Sequence, residues 1–291
     1  MGPLNMDAFQ EQYARFRAMQ PFRRKSVEGG WFEYVDCGAG PPVLLLSGLF
    51  GKGESWFPLI LALKEEYRFI APSYTALEDL DSFFSGLMQI VEEEAQLPVH
   101  VVGHSFGGLL SQGLVRSHGG SIGSVVLSHT SLPDSSRVGY LEKMARFLLR
   151  LPFPLHRRLW GWRIGHWTRG RETSAGEFWS QYRRQLLSSL RREDLVCAYR
   201  YFLDLLKDYR FQENELEGWS GPMLIIESED DAAIPEKERT KLRQSYPGAE
   251  VHTFERAGHS SLIEKPGEYI TVIQRFFAHS EQRVSRADTD A

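Results

Sequence analysis

Gly103-His104-Ser105-Phe106-Gly107-Gly108 stands between a short apolar run at 99–102 and a segment of helical periodicity at 106–118. A strand, a sharp turn and a helix must therefore follow one another within a few residues. Glycines at 103 and 107 leave room for the chain to bend that tightly, and the serine between them is lifted above the strand end. It then sits at the head of a helix, whose positive end favours developing negative charge. As a bare pentapeptide, G-x-S-x-G also fits a glycine-rich turn without chemistry, so its partners have to be sought elsewhere in the chain.

Strand-like and helix-like segments alternate on either side of it. Apolar or alternating runs at 31–36, 43–46, 67–71, 99–102, 124–127, 223–226 and 250–254 predict strands. Helical spacing covers 55–66, 78–95, 106–118, 236–245 and 268–277, and Phe9, Tyr13 and Phe16 suit a short helix near the start. This order predicts an α/β fold, a mostly parallel central sheet flanked by helices. From 132 to 216 the alternation stops in a stretch rich in Arg, Leu and Trp that reads helical throughout, with Leu151-Pro152-Phe153-Pro154 as a breaker. The expected organisation is a core of 1–131 and 217–291 with a helical cap, 132–216, inserted after the strand that ends near Leu127. The tail after His279 reads as frayed, and Met1 to Asn5 carry no assigned role.

Composition narrows the function classes. With 291 residues, 42% of them hydrophobic, the chain can bury a large core, and a formal charge of -4 gives no reason to expect a nucleic-acid partner. Cys37 and Cys197 are the only cysteines, with no CxxC and no Cys/His cluster, so no metal site is expected. Neither a signal peptide nor a run of 18 apolar residues is evident, and a soluble, cytoplasmic protein is expected.

A serine hydroxyl is a weak nucleophile unless a base removes its proton and an acid orients that base. His259 follows the strand at 250–254, in Ala257-Gly258-His259-Ser260, and Asp231 follows the strand at 223–226, in Glu229-Asp230-Asp231-Ala232. Asp230 and Asp231 are adjacent and only one can face the histidine. Both stand as candidates for the acid, with Asp134 a remote third. His104 is expected beneath the pocket, and His129 could line the site, but the preferred reading is a polar residue at a strand end.

With the order Ser, Asp, His, the sequence resembles the α/β-hydrolase superfamily, over nearly the whole chain outside the insertion. Within it the chain looks most like the maspardin branch, through 47–63, Arg68-Phe69-Ile70-Ala71-Pro72-Ser73-Tyr74 and the helical insertion. The resemblance places the acid at Asp231, counted back from Ile234-Pro235. It also implies an oxyanion hole from the backbone N–H groups of Leu49 and Phe106. Two residues depart from the family pattern: Ser47 stands where many members carry His, and Ser228 where the strand before the acid commonly ends in Gly. The activity implied is a serine hydrolase, free of cofactor, cleaving a carboxylic ester or thioester of a small acyl substrate. Cleavage of an amide or carbon-carbon bond is the alternative within the fold. Maspardin-type members are thought of as having lost part of the catalytic apparatus, so a non-catalytic binding or adaptor protein is the rival class. The retained Ser105, Asp231 and His259 argue against it.

Two weaker patterns lead nowhere. Gly51-Lys52-Gly53-Glu54-Ser55 fails the phosphate-loop spacing, and His100 and His104 would not converge on a strand. The cap is more suggestive: between Arg137 and Arg200 there are 14 Lys or Arg against 5 Asp or Glu, with four of the seven tryptophans. Basic and aromatic side chains together suit an anionic membrane surface or an acyl carrier, although a charge run is commonly just a solvated face.

Overall fold

The structure is a computed structural model that describes residues 6–49, 51–74, 77, 79–167, 174–208, 216 and 218–289. The expectations for Met1 to Asn5, and for the insertion at 168–173 and 209–215, lie outside the described residues.

Helix α1 (Met6–Ala18) leads into β1 (Phe22–Val27), β2 (Gly30–Gly38) and β3 (Pro42–Leu46). A 3-10 turn at Gly53–Trp56 and α2 (Phe57–Leu63) precede β4 (Arg68–Ser73), α3 (Leu80–Glu94), β5 (Val99–His104), α4 (Phe106–His118) and β6 (Ile122–Ser128). Four helices then follow without a strand: α5 (Val138–Arg150), α6 (Phe153–Trp167), α7 (Ser174–Ser189) and α8 (Arg192–Asp208). The α/β order resumes with β7 (Met223–Ser228), α9 (Glu236–Ser245), β8 (Glu250–Phe254), α10 (Ser261–Glu264) and α11 (Pro266–Thr289).

The eight strands form one sheet in the order β1-β2-β4-β3-β5-β6-β7-β8. β1 and β2 run antiparallel to their neighbours, and the other pairs are parallel. Alternation along each parallel strand feeds two separate cores. Leu44, Leu46, Val101 and Leu127 face one side with α3 and α4, while Val43, Leu45, Val102 and Val126 face the other with α2 and α11. A sheet buried on both faces needs such continuous apolar strands, as the Val43-Leu44-Leu45-Leu46 run shows.

One strand was not anticipated and one expectation needs correction. The polar sequence Phe-Arg-Arg-Lys-Ser-Val concealed β1, an edge strand with most of its residues exposed, which needs no second apolar face. The tail after His279 is not frayed at once, since α11 continues to Thr289. Helix α1 packs on α7 as well as on the core: Phe9 stacks on Phe178 at 5.8 Å and meets Phe57 and Trp179 edge-on. Among the described residues no helix is long and apolar enough to cross a membrane.

Candidate active site

The carboxyl ends of β3, β5, β7 and β8 supply the site, where the ends of parallel strands leave a crevice. Ser105 is the residue between β5 and α4, with φ 53° and ψ -115°, a left-handed conformation costly for a residue with a Cβ. Hydrogen bonds hold it there: its N–H donates to Ser128 O at 2.8 Å, and its carbonyl accepts from Thr130 Oγ1 at 2.7 Å and Gly108 N at 2.9 Å. A Cβ at Gly103 would overlap Gly107 O, and one at Gly107 would overlap Leu46 O, which is why this turn excludes side chains on both flanks.

The structure brings Ser105, His259 and Asp231 together. Asp231 is 4% exposed; its Oδ1 accepts from the N–H groups of Ala233 at 2.8 Å and Ile234 at 3.0 Å, which fixes the carboxylate plane. His259 Nδ1 lies 2.9 Å from Asp231 Oδ2, and His259 Nε2 lies 3.0 Å from Ser105 Oγ. An ionised carboxylate only accepts, so the Nδ1 of His259 carries the proton and Nε2 is left to accept from the Ser105 hydroxyl. Asp230 does not face the histidine: its Oδ1 accepts from Ser228 Oγ and from Gly258 N, both at 2.8 Å, and so ties the acid segment to the histidine loop. Ser228 also accepts from Ala257 N at 3.0 Å, which gives the departure from glycine a structural use. Asp134 caps the 3-10 turn at Ser135–Arg137, accepting from Ser136 N, and is no member of this group.

The preferred reading of His129, a polar residue at a strand end, misses its role beside the acid. His129 is 1% exposed, with φ 48°, and donates from Nδ1 to Asp231 Oδ2 at 3.1 Å while its Nε2 accepts from Ser261 Oγ at 2.8 Å. Asp231 therefore serves two imidazoles. Burial opposes its charge, but the hydrogen bonds from His129 and His259 outweigh that and hold its carboxyl below the ordinary carboxylate range. Burial keeps His129 itself neutral, pushing its pKa down despite the carboxylate. His104 borders the cavity, its ring 5.2 Å from His259; burial and then the adjacent His259 and His129 push it well down.

Ser105 and His259 open into a cavity of about 200 Å³, lined mainly by apolar groups. Its wall includes Leu49 and Trp56 from the core, Trp160 from α6, and Trp179, Tyr182 and Arg183 from α7. Leu49 is thus beside Ser105, and Phe106 is the first residue of α4, where a helix N–H has no intrahelical acceptor. Ser47, in the position where His is common, is 3% exposed and accepts from Trp56 Nε1 at 3.0 Å, which steadies the wall behind Leu49. The potential metal ligands of His129, Asp231 and His259 lie within 4.8 Å of one another. Both Nδ1–H groups already point at the carboxylate, so a cation there would have to displace two protons; the arrangement suits proton transfer.

A family model described as the Alpha/beta hydrolase family matches residues 43–272. An uncharacterized protein of Mycobacterium tuberculosis is 25% identical over 300 residues, covering 92% of this chain and 82% of its own length. A pimeloyl-(acyl-carrier protein) methyl ester esterase of Aeromonas hydrophila is 26% identical over 82% of this chain and 96% of its own. Among solved structures, an esterase from Rhodococcus sp. superposes with a TM-score of 0.72 at 18% identity, over 89% of this chain and 98% of that one. A likeness at that identity bears on the fold alone.

Proposed function

The chain belongs to the Alpha/beta hydrolase family, and from that premise we propose that it is a cofactor-independent serine hydrolase cleaving a carboxylic ester or thioester. The observation that carries this reading is the hydrogen-bonded line from Asp231 through His259 to Ser105, ending in an apolar cavity. Ser105 Oγ attacks the carbonyl carbon as His259 Nε2 takes its proton. The carbonyl oxygen becomes an oxyanion facing the N–H groups of Leu49 and Phe106. His259 then passes the proton to the departing alcohol or thiol, leaving an acyl-Ser105. Water, deprotonated by His259, attacks the acyl carbon; the carboxylic acid leaves and Ser105 recovers its proton. Asp231 keeps the imidazole in the required tautomer and stabilises its cation throughout.

In this reading the insertion between β6 and β7, residues 132–216, is a cap that shapes the acyl pocket. The resemblance to the maspardin branch supports a second reading, a binding protein on a hydrolase scaffold, but a strained serine aligned with an oriented imidazole is a costly arrangement for a scaffold to keep. Turnover of short p-nitrophenyl esters by the parent chain and its Ser105→Ala and His259→Ala variants tests the proposal. Esterase activity that both variants lack supports it; full activity in either removes it.

A further inference from the structure

Five of the nine large hydrophobic side chains most open to solvent among the described residues lie on two adjacent helices, α5 and α6. On α5, Tyr140 is 70% exposed and Phe147 63%, seven residues apart; on α6, Leu155, Leu159 and Trp162 follow at spacings of four and three, with Trp162 66% exposed. These spacings put each set on a single helix face. A helix in a globular protein turns its apolar stripe inward. Here both stripes face water.

Charge accompanies them. Lys143, Arg146, Arg150, Arg157, Arg158 and Arg163 lie on the same two helices against the single acid Glu142, which pairs with Lys207 and Arg146. Lys143 follows Tyr140 by three residues, Arg150 follows Phe147 by three and Arg158 follows Leu155 by three, so cations flank the apolar stripes. Aromatic and aliphatic groups beside lysine and arginine match the boundary between acyl chains and anionic headgroups.

We infer that the α5–α6 face docks on an anionic lipid surface. Tyr140, Phe147 and Trp162 enter the interface while the basic side chains meet the headgroups. Helix α6 also gives Trp160 to the cavity wall, so docking sets the cavity beside a source of apolar acyl groups.

Co-sedimentation with vesicles tests this, comparing phosphatidylcholine alone with phosphatidylcholine containing phosphatidylglycerol. Binding should be several-fold greater to the anionic vesicles and should weaken as the Debye length falls from about 10 Å to about 3 Å with rising salt. The double variant Phe147→Ser, Trp162→Ser should bind them at least about tenfold more weakly, because two aromatic groups no longer leave water. Circular dichroism matching the parent shows that the variant is folded. Equal, negligible binding to both vesicle types overturns the inference, as does a double variant that binds like the parent. Capture of an acidic acyl carrier protein without vesicle binding assigns the face to a protein and overturns it too.

Discussion

His129 Nδ1 and Asp231 Oδ2 are 3.1 Å apart, and both side chains are fully removed from solvent. The acid that orients His259 is thus itself oriented by a second imidazole, whose far nitrogen is anchored on Ser261 at the start of α10. His129→Leu removes one donor to a buried charge, a loss of about 1.5–3 kcal/mol, and should lower kcat by about tenfold or more with little change in KM. His129→Asn, which keeps an N–H donor, should recover part of that loss. Steady-state kinetics on a soluble ester decide it, and an unchanged kcat in the leucine variant sinks the positioning role.

The two neighbouring acids should separate cleanly. Asp231→Asn forfeits the charge that fixes the His259 tautomer, and kcat should fall by about 10³-fold or more. Asp230→Asn retains an acceptor for Ser228 Oγ and Gly258 N and should cost far less. If the two losses came out reversed in the same assay, Asp230 would be the acid.

Among the described residues of the cavity wall, Arg183 is the one permanently charged side chain and none is a carboxylate. Its guanidinium donates to Ser180 Oγ at 3.1 Å, and burial pulls its pKa down, with Glu264 offsetting part of that. A substrate with its own anion would meet this cation inside the cavity. The chain should therefore prefer monomethyl adipate to methyl hexanoate by about tenfold in kcat/KM, the scale of one hydrogen bond to a charged group. Arg183→Gln should bring the ratio near one. Equal use of the two esters by the parent would count against an anion subsite.

Stability should fall on mild acidification. Burial holds His100 at about 4, and keeps His104 and His129 below their ordinary value too. In the unfolded chain each takes up a proton near pH 6.5, before the folded form does, so their contribution is present above about 6.5 and is lost as pH falls from there toward the folded values. Asp231, shifted down, keeps its contribution until pH drops below about 4. Each histidine adds up to about 1.4 kcal/mol per pH unit in that window. Urea midpoints should decline steadily from pH 7 to pH 5; a flat profile contradicts the buried neutral imidazoles.

Much of the molecule was legible because local pattern and tertiary need agree. Val43-Leu44-Leu45-Leu46 reads as a strand buried on both faces and is one, and the glycines around Ser105 announce a turn that no side chain could enter. The choice of Asp231 over Asp230 came from the family resemblance, and in the structure the turn before Ile234-Pro235 presents two backbone N–H groups to the Asp231 carboxylate. His129 was not legible. Its role depends on β6 and β7 being neighbours in register, so that Ser128 pairs with Ile226 and the next residue meets the acid, and nothing local to Ser128-His129-Thr130 encodes that. Edge strand β1 escaped for the opposite reason, its polar residues facing water instead of a core.

A fluorophosphonate probe tests the proposed chemistry most directly, because it reacts with a serine only where a base and an oxyanion site activate it. Intact-mass measurement of the purified, folded chain should show one added phosphonyl group, mapped by peptide analysis to Ser105 and absent from the Ser105→Ala and His259→Ala variants. No labelling of the folded parent chain, or labelling that survives Ser105→Ala, would contradict the account.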